Sequence, residues 1–151
     1  MTQITVYVTR RKRITGYTAL GHTLYADAGE DIVCAGVSAL TQSTVIALRR
    51  VARVTPRVVR KPGLLIVRVA KTSGMRRHDA QIILLSCVRG LEQIAGQFPL
   101  YARVRWKLDD VDQTGYEKRK EGDYDKILTG FGAEPQSIPG RRRLDRRPDG
   151  H

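Results

Sequence analysis

The sequence predicts an α+β domain in which two helices pack on one face of a mainly antiparallel sheet, followed by a polar C-terminal tail. Three observations support this prediction. Several short segments alternate polar and apolar residues, two longer segments have apolar residues at helical spacing, and neither pattern continues after Lys107. Of the 151 residues, 41% are hydrophobic, which suffices for one core and excludes a collagenous or wholly disordered chain. We predict a folded domain over residues 1–107 and a disordered, charged tail over residues 108–151.

Alternating polar and apolar residues predict five strands. Ile4, Val6 and Val8 alternate with their neighbours, and residues 14–20 repeat the pattern after the basic turn at residues 10–13. These two strands form a predicted hairpin. Further strands are predicted over residues 51–59, where Pro56 interrupts the pattern, and over residues 64–70 and 101–106, with a Lys61-Pro62-Gly63 turn between the first two.

Two longer segments have apolar residues at helical spacing. Asp31 precedes the first, which runs to about Arg50. Aspartate is a preferred N-cap because its carboxylate accepts the free N–H groups of the first turn. Asp79 is the predicted cap of the second helix, whose apolar stripe covers residues 80–98 and stops at Pro99. The element order ββαββαβ is typical of an α+β domain.

The formal net charge of +12 belongs to the predicted domain. Residues 1–106 contain 17 Lys and Arg against 5 Asp and Glu, whereas the remaining residues contain 10 of each. Such a field favours an anionic partner such as RNA, a ribosome or an acidic protein. A solvated basic surface is the alternative, and the same alternative applies to the Arg141-Arg142-Arg143 cluster in the tail.

The chain lacks the signals of secretion, membrane insertion and metal binding. Residues 1–9 have no continuous apolar block like that of a signal peptide, and no apolar run approaches the roughly 18 residues of a membrane span. Two cysteines do not indicate a disulfide scaffold, and three scattered histidines show no ligand spacing. We therefore predict a cytoplasmic protein with no membrane partner, no metal and no cofactor.

Cys34 is the first candidate for chemistry. It lies three residues after Asp31, in the first turn of the predicted helix. There the helix dipole and the unpaired N–H groups favour a thiolate, and the same N–H groups can hold a developing oxyanion. The Asp31 carboxylate disfavours the thiolate unless capping or a histidinium takes up its charge.

His22 is the candidate partner of this thiol. It follows a strand end, 12 residues before Cys34, and a loop of this length can bring a strand end and a helix start together. Taken alone, this spacing favours a surface histidine and a buried helical cysteine over a catalytic pair.

The other thiol and imidazoles are weaker candidates. Cys87 lies on the apolar stripe of the second helix, which is typical of an inert core thiol. His78 follows two arginines and has no cysteine nearby in sequence, and His151 is the last residue.

Residues 21–40 read GHTLYADAGEDIVCAGVSAL. This block resembles the signature of the ribosomal-processing cysteine proteases, the Prp family, whose pattern is GHA-x-Y-A-x-x-G-x-D-I-V-C-A-A-V-S-A-L. The match has no insertion between the histidine and the cysteine. A preceding hairpin, the stretch RGLEQIA at residues 89–95 and the following Phe98-Pro99 agree as well. The resemblance covers about residues 1–107.

The resemblance implies a homodimeric cysteine endopeptidase with a Cys-His dyad. It makes Cys34 the nucleophile and His22 the general base, with Gly21, Asp31 and Ser38 at motif positions that support the site. The implied substrate is a short N-terminal extension of large-subunit ribosomal protein twenty-seven, removed after an aromatic residue during ribosome maturation. Whether Asp31 caps the helix, orients the histidine or does both stays open.

Three features depart from the family pattern. Thr23 replaces an alanine beside the histidine, where its hydroxyl can change the hydrogen bonding of the imidazole. Gly36 replaces an alanine in the helix, at a cost of about 0.5 to 1 kcal/mol in helix propensity. The tail has no counterpart in the pattern.

The alternative function is a non-catalytic, basic ribosome- or RNA-binding module on the same fold.

Overall fold

The computed structural model describes residues 1–27 and 29–109. They form five strands and two helices in the order β1 (Thr2–Val8), β2 (Ile14–Leu20), α1 (Ile32–Arg50), β3 (Arg57–Lys61), β4 (Leu64–Arg68), α2 (Gly74–Gln97) and β5 (Ala102–Leu108). The predicted order ββαββαβ and the α+β fold class are confirmed. Of the tail predicted over residues 108–151, Leu108 instead ends β5 and Asp109 follows it, while residues 110–151 lie outside the described residues.

The five strands form one sheet in the order β3-β4-β2-β1-β5. Neighbouring strands are antiparallel except β1 and β5, which are parallel, so the sheet is mixed but mainly antiparallel. Leu20 pairs with Leu64 where β2 ends and β4 begins. This register places the chain that leaves β2 directly beside the β3–β4 turn, and the candidate site lies there.

Both helices pack on one face of the sheet, because that face carries the apolar side chains. Ile4, Val6, Tyr17 and Val67 are fully buried on it. The helices cover these residues with Val33, Val37, Val45 and Leu48 of α1 and with Ala80, Leu84, Cys87, Val88 and Leu91 of α2. The Tyr17 hydroxyl donates to the Thr41 carbonyl at 2.6 Å and so joins the sheet to α1.

Gly36 lies where α1 meets α2. A Cβ at this position would lie 3.2 Å from Cδ1 of Ile94, which is tighter than ordinary van der Waals contact. The glycine therefore lets Ile94 approach α1 closely, and this packing offsets its poor helix propensity.

Two predicted boundaries are wrong. β3 begins only at Arg57, because the chain after α1 forms a turn in which the Val54 N–H donates to the Leu48 carbonyl. α2 begins at Gly74 with Ser73 as N-cap, so Asp79 lies inside the helix and does not cap it. Apart from the exposed Met75, the added residues 74–79 are glycine or polar, and none of them is buried, which is why the buried apolar stripe gave no sign of them.

Among the described helices, α1 has the length and the mean hydropathy, 1.4 over its best window, that a membrane span also requires. Its buried side chains all face the protein core, from Val33 to Leu48. We therefore assign α1 as a core helix.

Candidate active site

The chain leaves β2 at Gly21, in a conformation that favours glycine. The φ angle is +89°, and a Cβ would lie only 2.8 Å from the Met1 carbonyl oxygen. The Gly21 N–H donates to the Gly63 carbonyl at 2.7 Å, which fixes the strand end against the β3–β4 turn. The next residue, His22, is exposed beyond the end of the sheet.

Gly63 in the β3–β4 turn forms the surface against which the His22 imidazole lies. Its φ angle is +68°, and a Cβ at this position would lie 3.0 Å from Nε2 of His22. A side chain here would therefore strain the turn and displace the imidazole. Lys61-Pro62-Gly63 is predictable as a turn, but its contact with His22 depends on the long-range pairing of β2 with β4.

On the Cys-His dyad that the family resemblance implies, we predict that Gly63→Ala lowers kcat/KM by about tenfold or more, because the added Cβ displaces the His22 imidazole. The positive φ angle should also cost about 1 kcal/mol of folding free energy. Gly74→Ala is the matched control, since Gly74 has a similar φ of +58° but nothing within 4 Å of its Cβ position. Equal losses of activity in the two variants, measured with a peptide substrate beside thermal melts, would rule out a role for the His22 contact.

Cys34 is the third residue of α1 and is half-buried. Its own N–H donates to Oδ1 of Asp31 at 2.8 Å. The N–H groups of Ile32 and Val33 donate no hydrogen bond within the described part of the chain. Among the described residues, the first turn therefore presents two free donors next to the thiol, which suits the binding of an oxyanion.

Asp31 acts as the N-cap of α1 and ties the preceding loop to it. Its Oδ2 accepts the Thr23 hydroxyl at 2.5 Å and the Tyr25 N–H at 3.0 Å. The described residues show no hydrogen bond between Asp31 and His22. Capping is thus the role that the structure shows for this carboxylate, and the buried Thr23 hydroxyl donates to it and not to the imidazole.

These hydrogen bonds also set the acidity of Asp31. Burial acts to raise the pKa of this carboxyl, but the hydrogen bonds from Thr23 and from the N–H groups of Cys34 and Tyr25 outweigh it, so the pKa lies below its usual value. The folded state thus binds the proton more weakly than the unfolded state does. The contribution of Asp31 to stability is therefore present at neutral pH and is lost as the pH falls below about 4, through the lowered pKa.

We predict that Asp31→Asn lowers the Tm at pH 7 and that the difference from wild type shrinks as the pH falls below about 4. Asparagine keeps a capping oxygen but lacks the charge that strengthens the three hydrogen bonds. Asp79→Asn is a suitable control, since Asp79 caps no helix. A Tm difference that stays constant down to about pH 2 would show that the charge of Asp31 does not stabilise the fold.

His22 and Cys34 line the same cleft, whose volume is about 200 Å³. Gly21 and Ser38 line it too, with Ser38 one turn beyond Cys34, while Asp31 lies outside it as the cap. Ten further residues line the cleft, and no candidate site residue from the sequence is among them. They are Thr2, Ala19, Val37, Thr41, Gln42, Arg60, Lys61, Gly63, Leu64 and Leu65. Apart from the predicted turn, no local signal marks these residues, because strand pairing brings them together.

The remaining sequence candidates lie elsewhere. Cys87 is buried in the core between the helices, and burial raises the pKa of its thiol. His78 is exposed on α2, and neither residue lines the cleft. His151 lies outside the described residues. Among residues 1–27 and 29–109, no three His, Cys, Asp or Glu side chains form a group that could hold a metal ion.

Most of the chain matches the model of a known protein family. The family model described as cysteine protease Prp matches residues 1–103, which include both His22 and Cys34. The chain belongs to this family. No curated protein sequence matches the chain.

Solved structures of Prp proteases have the same fold. The essential ribosomal processing protease Prp from S. aureus, solved with a covalently linked product peptide, shares 25% identity at a TM-score of 0.65 and covers 71% of this chain and 100% of its own. The same protease with a substrate peptide gives 24% identity and a TM-score of 0.61 over 71% and 100% of the two chains. SMU.848 from Streptococcus mutans gives 21% identity and a TM-score of 0.61 over 72% and 96%.

Proposed function

We propose that this Prp-family protein is an endopeptidase that removes the N-terminal extension of large-subunit ribosomal protein twenty-seven during ribosome maturation. The observation that carries the proposal is that His22 and Cys34 line one cleft in a member of a cysteine protease family. The related S. aureus protein is a ribosomal processing protease that has been solved with a substrate peptide. The ribosomal protein itself is the substrate that the resemblance of residues 21–40 implies.

In the proposed mechanism, His22 takes the proton from the Cys34 thiol and the thiolate attacks the carbonyl carbon of the peptide bond. The carbonyl oxygen becomes an oxyanion, for which the free N–H groups of Ile32 and Val33 are suitable donors. The C–N bond then breaks as His22 protonates the leaving amine, which leaves a thioester on Cys34. Water deprotonated by His22 hydrolyses this thioester and regenerates the thiol. Each step uses side chains and backbone amides, so we propose no metal and no cofactor.

The residues that line the cleft are suited to a peptide substrate. Ala19, Val37 and Leu65 form an apolar wall, and Thr41 and Gln42 add polar groups. An apolar wall next to a thiol suits the aromatic residue that precedes the cleaved bond in the implied substrate.

The test is incubation of the purified full-length protein with the extended ribosomal protein, followed by intact-mass analysis. Wild type should release the extension, while Cys34→Ala should leave it in place. If both proteins leave equal amounts of uncut substrate, the protease proposal fails. In that case the non-catalytic alternative gains, since it predicts RNA binding that does not depend on Cys34.

We also propose a homodimer, as the family resemblance implies, and a cytoplasmic location, as the sequence predicts. Its support in this chain is an exposed apolar stripe on α2. Met75, Ile82 and Leu85 lie on one side of that helix with exposed fractions of 72%, 55% and 43%. Sedimentation velocity of the full chain measures the oligomeric state directly.

A further inference from the structure

The face of the sheet opposite the two helices carries a row of three cations on β5. Arg103, Arg105 and Lys107 alternate with Ala102 and Val104, which pack towards the core. β5 is an edge strand, and all three basic residues are exposed. We refer to Arg103, Arg105 and Lys107 as the β5 row.

No acidic side chain neutralises the β5 row among the residues that the structure describes. Within the described part of the chain, none of the three side chains makes an ion pair or a hydrogen bond. Asp109, the acid closest in sequence, instead accepts from Arg68 at 3.2 Å and from the Thr15 hydroxyl at 2.5 Å. The other acidic residues in the described part of the chain lie in the loop before α1 (Asp27, Glu30 and Asp31) or on α2 (Asp79 and Glu92).

As far as the described residues go, the surface next to the β5 row offers charge but no free aromatic ring. Tyr7 pairs with Lys107 across the β1–β5 ladder, and the Arg68 guanidinium covers its ring at 3.6 Å from the centroid. Trp106 points to the helix side, where its indole N–H donates to Glu92. Because proteins that bind single strands stack bases on exposed rings, this surface is better suited to phosphates than to bases.

The geometry of the row favours a regular polyanion. Side chains two residues apart on a strand are separated by about 6.6 Å, so the three cations form an evenly spaced line. We propose that the β5 row is a sequence-independent docking site for double-stranded ribosomal RNA, which is recognised by its shape and phosphates. Only the choice of ribosomal RNA rests on the proposed function. An enzyme bound to ribosomal RNA would be held near a ribosomal protein substrate.

The proposal is tested with the full chain and a labelled RNA duplex of about 20 base pairs, by fluorescence anisotropy between about 50 and 200 mM salt. The variant combines Arg103→Gln, Arg105→Gln and Lys107→Gln. The control combines Arg49→Gln, Arg50→Gln and Arg53→Gln, which removes the same charge from exposed cations at the end of α1, in the opposite layer.

Loss of three phosphate contacts should make the negative slope of log K against log salt shallower by about 2.7, at about 0.9 per contact, and weaken binding at least about tenfold. The control should keep the wild-type slope. A row variant that binds like the control overturns the proposal. Displacement of the RNA by polyglutamate of equal charge would also overturn it, in favour of an acidic protein partner.

Cleavage of a short free peptide separates this proposal from the proposed function. The row variant should cleave that peptide at the wild-type rate, since none of its three residues lines the cleft. If wild type itself cleaves nothing while the row variant still loses RNA binding, the protease proposal fails and the docking site stands.

Discussion

Replacement of Cys34 by alanine is expected to lower kcat/KM for the extended ribosomal protein by at least about 10³-fold. Without the thiol no thioester forms, and only the binding cleft and the free N–H groups at the start of α1 are left to act on the substrate. The fold should tolerate the change, because Cys34 is half-buried and its N–H bond to Asp31 belongs to the backbone. The measurement is the initial rate of release of the extension, with thermal melts to verify folding.

Cys87→Ala is the matched control for this prediction. It removes the other thiol, which lies in the core, has a pKa raised by burial and does not line the cleft. We expect a modest loss of stability from the small cavity, of about 1 kcal/mol, and near wild-type activity. A loss of activity confined to Cys87→Ala would contradict the assignment of Cys34 as the nucleophile.

Replacement of His22 by alanine is expected to lower kcat by about 10² to 10⁴-fold, the range that a positioned general base contributes. His22 is exposed at the end of β2, so its removal should leave the folding free energy within about 0.5 kcal/mol of wild type. The measurement is the rate of peptide cleavage at several pH values, since loss of the base should also change the shape of the pH profile.

His78→Ala serves as the control for the second prediction, because His78 is also exposed but lies on α2 away from the cleft. It should keep the rate and the pH profile of wild type. Equal activity of His22→Ala and wild type across the pH range would remove His22 from the mechanism and leave Cys34 without a base.

The sequence predicts the position of Cys34 in the first turn of α1 better than it predicts which residues surround the thiol. An aspartate three residues before the cysteine is a local signal, and the structure shows the predicted cap in the 2.8 Å bond from the Cys34 N–H. The strand that ends before His22 follows equally from local alternation. Both features depend on residues close in sequence, for which spacing and capping are informative.

The parts that the sequence did not predict depend on long-range pairing. The contact between Gly63 and His22 exists because Leu20 pairs with Leu64, 44 positions later in the chain. The parallel pairing of β5 with β1 likewise joins the two ends of the domain, and no local pattern carries that information. Thr23 is a different case, since its partner Asp31 is only eight residues away but lies across an irregular loop whose path no periodic pattern predicts.

The most direct measurement of the proposed dyad is the rate at which iodoacetamide alkylates Cys34 as a function of pH, read by peptide mass spectrometry with Cys87 as the internal reference. If His22 takes the thiol proton, Cys34 in wild type should react rapidly at about pH 6 to 7, while His22→Ala should react at that pH like an ordinary thiol. A Cys34 that follows ordinary thiol behaviour in both proteins would contradict the acid–base partnership on which the proposed protease activity depends.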